Sequence, residues 1–599
     1  MATDTAVADF FIKIDGMEIP KDLSRQLVRV VVDSDLHQPD MFTLLFHDRD
    51  MEWVDDPRLG VGKEVEIWGQ SATQSRRSST RSLLFKGEIT TIEPDFSRAG
   101  RPTLLLRGYD RSHRMHRGQK RRSFLQTTDS DIALKLAAEE GLRAEVDASP
   151  HVYEYLFQNN QTNMEFLVER ARRIGYQVYV FDRTLYFRKG TANHGELPEL
   201  NWGKDLLDFH PRLTAVHQAD EVLVRSWDPL TKQAVEGRAT VSQSQIEVGI
   251  SHDGGDVAQA AFGSTSQAVV VDVPMESAKK ASDLAQALYN EINGEFIQGE
   301  GSCFGNPLML AGKTVKLSGL GKRFSGVYFI TAATHIYESH GYATHFKISG
   351  QGPDTVSHLL ADGQGRSPHT QYAGAVVGIV TNISDPRQLG RVKVKFPWLE
   401  ENEESNWARM ASPMAGNGSG FFVLPEINDE VLIAFEHGDI LRPFVIGMLW
   451  NGRDKPPLTT TQAVGGGKVN QRVWQSRTGH QILLDDTRGG EKVIVRSKGG
   501  HVIELDDSAG AQRIIIKDSA GNLIELDATQ NSITIDAQGN LTLKNRGNLT
   551  LQSTGNLKLQ SAGSVDIQAT GQLSLNGMAG TSVKSTATVQ IQAPLIRIN

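Results

Sequence analysis

Cysteine is nearly missing from this chain. Cys303 is the one in 599 residues, which excludes an intrachain disulfide framework and a zinc site built on cysteines. No stretch is apolar for long enough to span a bilayer. Cationic excess is absent too: 63 Lys and Arg stand against 71 Asp and Glu, a formal charge of −8. That argues against a nucleic-acid partner, because phosphate binding depends on cationic surface. The start, MATDTAVADFFIKIDG, lacks the positive segment and cleavage site of a secretory signal. The expectation is synthesis in the cytoplasm, with any export by another route. What is present, 39% hydrophobic and 22% charged residues, suits a soluble protein with real cores. The length allows about three to five domains.

The C-terminal sixty residues repeat every eight. Gly539, Gly547, Gly555, Gly563 and Gly571 keep that spacing without a slip. Each is followed by apolar residues two apart: Leu541/Leu543, Leu549/Leu551, Leu557/Leu559, Val565/Ile567 and Leu573/Leu575. Val589/Ile591 return to the register after a Gly-poor stretch. Apolar residues two apart mark a strand with one buried face, and the glycine supplies a bend that a Cβ would resist. Eight residues make one strand and one bend, too few to close a coil of a single-chain β-helix. Three chains wound together would complete each layer, with these ten side chains as the shaft interior. The alternative, a low-complexity Gly/Ser/Thr tail, is opposed by the unbroken apolar register.

Longer units precede the short ones. Gly479–Gly499, Gly500–Ala520 and Gly521–Gln538 align as two-strand repeats of 21, 21 and 18 residues. They taper into the eight-residue pattern, as a spike would.

Residues 1–365 mix strands and helices. FFIKIDG, RQLVRVVVDS, DMFTLLFHD, GKEVEIWGQ, SLLFKGEITTIEPD and PTLLLRGYD alternate as strands of barrel-like antiparallel sheet. Two helices stand out. DSDIALKLAAEEG is expected to be capped at Asp129 and Ser130 and to stop at Gly141. The other opens with a capping box at Thr162 and Glu165, carries Phe166, Leu167, Ala171 and Ile174, and ends at Gly175. The Gly/Ser-rich stretch 350–370 marks a boundary. Five short strands follow between Tyr372 and Trp450, a pattern suited to a small Greek-key barrel of the oligonucleotide/oligosaccharide-binding (OB) type.

GIVTNISDPRQLGRVKVKFPW, NWARMASPMAGNGSGFFVLPEINDEVLIAFEHGD and RPFVIGMLWNGRDKPP resemble the OB-domain signature of VgrG-type spike proteins. These serve type VI secretion systems, extracellular contractile injection particles and contractile phage tails. RGYDRSHRMHRGQKRRSFLQTTDSDIALKLAAEEGL and NNQTNMEFLVERARRIGYQVYVFD resemble the hub half of that family. The resemblance implies a mainly β chain with an α+β N-terminal hub. The hub of two barrel-like domains spans 1–365, the OB-fold barrel 366–455, a neck 456–478, and an intertwined triple-stranded β-helix 479–599. It implies a homotrimer whose hub adapts a three-fold needle to a six-fold, Hcp-like tube and its baseplate. It also implies a PAAR-type tip protein on a C-terminal platform at Leu595, Ile596, Arg597, Ile598 and Asn599. Effectors would be carried by partners, and the target membrane would be met mechanically. No cofactor, metal or nucleic acid is implied. Release to the outside would come on firing. About 27 residues separate Gly452 from Gly479, too few for an inserted lysozyme domain, and the chain stops with its shaft. A bare, non-enzymatic spike is therefore expected. A cell-wall-degrading spike and a phage central spike are the alternatives.

Possible chemistry is sparse. Glu436, His437 and Asp439 lie close in FEHGDI, but a Gly-containing turn explains them better than acid/base catalysis. Glu400, Glu401, Glu403 and Glu404 could pair as glycosidase carboxylates; a solvated loop is the expectation. Phe396, Trp398, Phe421 and Phe422 could stack bases, yet core packing and trimer contacts suit them better. The basic run Arg111, Arg114, Arg117, Lys120, Arg121 and Arg122, with His113 and His116, is the one patch that could hold an anion. Its simpler reading is a solvated loop or an interface to an acidic ring. His480 and His501 open shaft repeats and are expected at exposed corners. H-E-x-x-H, G-x-S-x-G and P-loop motifs do not occur.

Overall fold

Alternation of buried and part-exposed residues, as along Met41–His47 and Thr103–Asp110, lays down the strands that make this chain mainly β. The computed structural model describes residues 10–70, 81–97, 101–189, 197–243, 247–249, 253–348 and 372–598. The expected boundary at 350–370, the acidic start 1–9 and Asn599 lie outside the described residues. Two compact units result, Met1–Lys455 and Pro456–Asn599.

In the first unit the two barrel-like halves share one antiparallel sheet of eleven strands. The seam is the pairing of Ala332–Glu338 with Leu27–Asp35, Ala332 opposite Asp35 and Tyr337 opposite Val30. On one side of the seam Val30, Val32, Phe42, Leu44, Phe46, Leu104 and Leu106 form a core. On the other, Leu206, Cys303, Val315, Tyr328 and Phe346 form a second. The lone cysteine is a buried packing residue here, and burial pushes its thiol up to about 12, so it carries no thiolate chemistry.

The helix Asp129–Glu139 is capped by Thr128, whose side chain accepts from the Asp131 amide while Asp131 returns a bond to the Thr128 amide. This corrects the expected caps at Asp129 and Ser130, which sit buried in the first turn. Asp129 is there to hold Arg170 at 2.7 Å, both side chains buried. The helix Asn163–Arg173 has the capping box Thr162/Glu165 read from sequence. Gly141 (φ +67°) and Gly175 (φ +69°) follow the two helices in the left-handed region. A third helix, Ala278–Gly294, escaped the sequence reading. Its buried Ala281, Leu284, Ala285 and Tyr289 have helical spacing but are diluted by alanine.

The barrel at 376–449 is a six-stranded sheet ordered Glu400–Glu404, Lys393–Phe396, Val376–Asn382, Glu430–Phe435, Pro443–Leu449 and Arg409–Met410. A bridge between Val392 and Ala408 brings the start of the second strand, Lys393–Phe396, against the start of the last, Arg409–Met410. Val380, Val394, Val431, Ile433 and Val445 fill it, with Phe157 entering from the hub. The acidic run is a strand rather than a solvated loop. Its Glu403 accepts from the Ser123 amide at 3.0 Å and from the Ser123 hydroxyl. Tyr155 donates its hydroxyl to the Glu404 carbonyl at 2.7 Å, so the run docks the barrel onto the hub.

The second unit opens with a short helix, Thr460–Ala463, and a small hairpin. Seven five-residue strands then form a pure antiparallel meander: Gln471–Gln475, Gln481–Asp485, Lys492–Arg496, Val502–Asp506, Arg513–Lys517, Leu523–Asp527 and Ser532–Asp536. Beyond Asp536 the chain bends every eight residues, at Gly539, Gly547, Gly555, Gly563 and Gly571 and then at Ala579 and Ala587. The period therefore continues through the Gly-poor stretch.

Candidate functional site: an uncovered apolar face

The meander carries two parallel rows of apolar side chains on one face, set by register. Trp474 lies opposite Ile482, Ile482 opposite Val495, Val495 opposite Ile503, Ile503 opposite Ile516, Ile516 opposite Ile524 and Ile524 opposite Ile535. Beside it run Leu484, Val493, Leu505, Ile514, Leu526 and Ile533. The ten aliphatics from Ile482 to Leu526 are each 38% to 46% exposed. Among the described residues nothing covers this face. Sequence reasoning had placed the shaft interior only at the eight-residue repeats; the signal for the longer face is the ILL, VIV, IEL, III, IEL and ITI triplets at strand period.

The expected interior residues of the short repeats continue the pattern. Leu541, Leu543, Leu549, Leu551, Leu557, Leu559, Val565, Ile567, Leu573 and Leu575 are 53% to 70% exposed, and no strand is assigned among the described residues beyond Asp536. Leu595, Ile596 and Ile598 are exposed as well. The five repeat glycines lie outside the left-handed region, and a Cβ would meet nothing at Gly539, Gly547 and Gly571 and only a serine hydroxyl at 3.9 Å at Gly555 and Gly563. Inside one chain, then, nothing demands glycine there, which corrects the expected reason for it.

The meander's corners are built alike. Gly479, Gly500 and Gly521 have φ of +98°, +87° and +99°, a conformation that favours glycine. The next residue is His480, His501 or Asn522. The Lys498 amide donates to His480 Nδ1 at 3.3 Å, the Ser519 amide to His501 Nδ1 at 3.3 Å, and the Gln538 amide to Asn522 Oδ1 at 2.8 Å. At the opposite ends Asp485, Asp506 and Asp527 accept from Thr487, Ser508 and Thr529. Burial pushes the Asp506 carboxyl up, but hydrogen bonds from Lys492 and Ser508 outweigh it and hold it at about 2. A face this apolar, with ends this polar, is a surface for burial and carries no chemistry of its own.

The other singled-out groups have structural occupations. Arg111 and Arg114 reach Glu88 at 3.1 and 2.8 Å and His113 at 3.3 Å. Desolvation raises the Glu88 carboxyl, and the hydrogen bonds from Arg114 and His113 more than reverse that. Arg121 binds Asn160, and Arg122 binds Glu139, Gln158 and Asn163. Most of the basic run is thus committed inside the hub. Glu436 and His437 form a tight turn, His437 at φ +51°, and Asp439 accepts from the Leu441 amide at 2.9 Å. Of the four aromatics weighed for base stacking, Phe396 is in the core, whereas Trp398, Phe421 and Phe422 are exposed. Among the described residues no group of His, Cys, Asp and Glu is placed to hold a metal. No helix among them is long and apolar enough to cross a membrane.

Residues 376–450 match the Type VI secretion system/phage-baseplate injector OB domain. The sequence is 26% identical over 138 residues to the actin cross-linking toxin VgrG1 of Vibrio cholerae, covering 22% of this chain and 13% of that one. It is 28% identical over 104 residues to the type VI secretion system spike protein VgrG2a of Pseudomonas aeruginosa, covering 17% and 12%. The alignments thus span well under a fifth of those relatives' own length. A solved E. coli type VI secretion component, described as structurally similar to the T4 tail proteins gp27 and gp5, superposes with TM-score 0.46 at 14% identity over 73% of this chain and 99% of that one. The matched barrel and these sequence relatives make the chain similar to spike proteins of the VgrG class. Residues 4–338, more than half of the chain, match the Alg8 N-terminal domain, and the chain belongs to that family.

Proposed function

We propose that three copies of this chain wind their C-terminal units into one needle and act mechanically at the tip of a contractile injection machine. The observation that carries this is the pair of apolar rows from Trp474 to Ile535, continued by the eight-residue repeats, left uncovered in one chain. Burying each aliphatic contributes roughly 1.5–3 kcal/mol. Inter-chain pairing would also satisfy the backbone groups beyond Asp536, which lack ladder partners. The domain ranges 1–365, 366–455, 456–478 and 479–599 then serve as hub, collar, neck and shaft. The hub adapts the three-fold needle to a six-fold tube and baseplate. The shaft leads the tube through the target envelope, with effectors carried by partner proteins. Leu595, Ile596, Arg597, Ile598 and Asn599 form the platform for a PAAR-type tip protein. The protein does this without catalysis, cofactor or metal, and leaves the producing cell as part of the fired particle.

Light scattering tests the reading. A solution mass three times the 65.8 kDa chain is expected. A monomer whose residues 479–598 are ordered and protease-resistant would overturn it.

A further inference from the structure

A second feature lies in the first unit. A cavity of about 60 Å³ opens where the hub meets the barrel. Four cations line it from three separate segments: Arg170 and Arg173 on the helix Asn163–Arg173, Lys280 in the first turn of Ala278–Gly294, and Arg442 from the barrel. Two carboxylates line it, Glu276 and Asp439. The lining His151 is engaged with Asp283 at 2.6 Å. Asp129 and Glu169 pair with Arg170 and Arg173 at 2.7 and 3.1 Å, so Lys280 and Arg442 are left to share Glu276.

These cations are held away from water. The Arg170 side chain is 3% exposed, Lys280 16% and Arg442 19%. Arg170 gives its Nε to Asp129, but its Nη2 is buried without a hydrogen-bond partner. Arg170 and Lys280 each stand 4.4 Å from the Tyr153 ring centroid. Glu276 binds Lys280 at 2.7 Å and reaches Arg442 only at 3.6 Å, and its own side chain is more than half exposed. One carboxylate at the mouth serves both Lys280 and Arg442, and the unpartnered buried Nη2 of Arg170 is costly.

We propose that this cavity binds a compact multivalent oxyanion of phosphate chemistry, which braces the barrel against the hub. Several oxygens on one small anion can bond Arg170, Lys280 and Arg442 together, as one flat carboxylate cannot. Glu276 then acts as the resident competitor that the ligand displaces.

The test is calorimetric titration of the full-length protein with sodium triphosphate, with sodium chloride of equal ionic strength as the blank. Saturable binding of one anion per chain is expected. Lys280→Gln and Arg442→Gln should each weaken it by about tenfold or more. Glu276→Gln, which removes an exposed carboxylate and leaves the fold intact, should tighten it several-fold and so decides the matter if the cation variants do not fold. No saturable heat with millimolar triphosphate overturns the proposal. So does an affinity unchanged by Glu276→Gln, which would mark diffuse surface attraction.

Discussion

The Ser519 amide donates to His501 Nδ1 at 3.3 Å, repeating the bond from Lys498 to His480 one unit earlier. One unit later Asn522 takes the same position and accepts from Gln538. The chain thus shows which part of histidine matters at a corner: one acceptor, two bonds out from Cβ. His501→Asn should leave the shaft's melting temperature nearly unchanged. His501→Ala should lower its stability by about 1 kcal/mol per corner, the worth of one hydrogen bond. Thermal unfolding of the two variants followed by circular dichroism checks this; equal melting would show that the corner bond contributes nothing.

His335 gives the hub an acid-sensitive point. It is fully buried, with Nε2 donating to the Met309 carbonyl at 2.9 Å and Nδ1 accepting from the Tyr342 hydroxyl at 2.7 Å. Desolvation pulls the imidazole down to about 4. The folded state therefore prefers the neutral ring. The stability this contributes is complete above the unfolded value near 6.5 and is lost as pH falls from there towards 4. The loss should approach roughly 3 kcal/mol. His335→Gln can keep both bonds without titrating. It should flatten the drop in hub melting temperature between pH 7 and pH 4.5, whatever it costs at neutral pH. A variant as acid-sensitive as the parent would refute the assignment.

Local patterns were legible wherever the determining contacts are local. The Thr162/Glu165 capping box, the strand alternation of Met41–His47 and the eight-residue period are each set by neighbours within a few residues. The misreadings share a different cause. Glu400–Glu404 looks like a solvated loop until Ser123, 280 positions away, takes hold of Glu403. Asp129 looks like a cap until Arg170 removes it to the interior. The basic run looks like a solvated loop or an interface, with an anion site as the alternative, until Glu88 engages Arg111 and Arg114 from another element. The cavity cations were illegible for the same reason, since they come from segments more than a hundred residues apart.

Ile516 and Lys517 are neighbours on opposite faces of one strand and separate the shaft proposal from a simple propensity effect. Ile516 lies opposite Ile503 and Ile524 in the apolar row, whereas Lys517 pairs with Val502 on the other face. In a trimer, Ile516→Ser removes three buried side chains at one level and should cost roughly 2 kcal/mol per chain. Lys517→Ser should stay within about 0.5 kcal/mol. Leu549→Ser in the short repeats should behave like Ile516→Ser. Detergent resistance of the assembled shaft on gels is the readout. Equal resistance of the Ile516 and Lys517 variants would mean that the apolar rows do not face a shared interior.

Glu403 tests how the barrel is fastened to the hub. Its carboxylate accepts two bonds from Ser123, amide and hydroxyl, while Glu404 of the same strand offers its carbonyl to Tyr155. Hydrogen bonds to a charged acceptor contribute about 1.5–3 kcal/mol. Glu403→Ala should therefore loosen the docked strand without unfolding the barrel, whose core of Val380, Val394, Val431 and Ile433 it does not touch. Hydrogen exchange should quicken at Lys120–Thr128 and Glu400–Glu404 and stay unchanged in Glu430–Phe435. Glu401→Ala, on the exposed side of the same strand, should change neither. Faster exchange throughout the barrel would instead show that the acidic strand holds the whole fold together and is more than a local clasp.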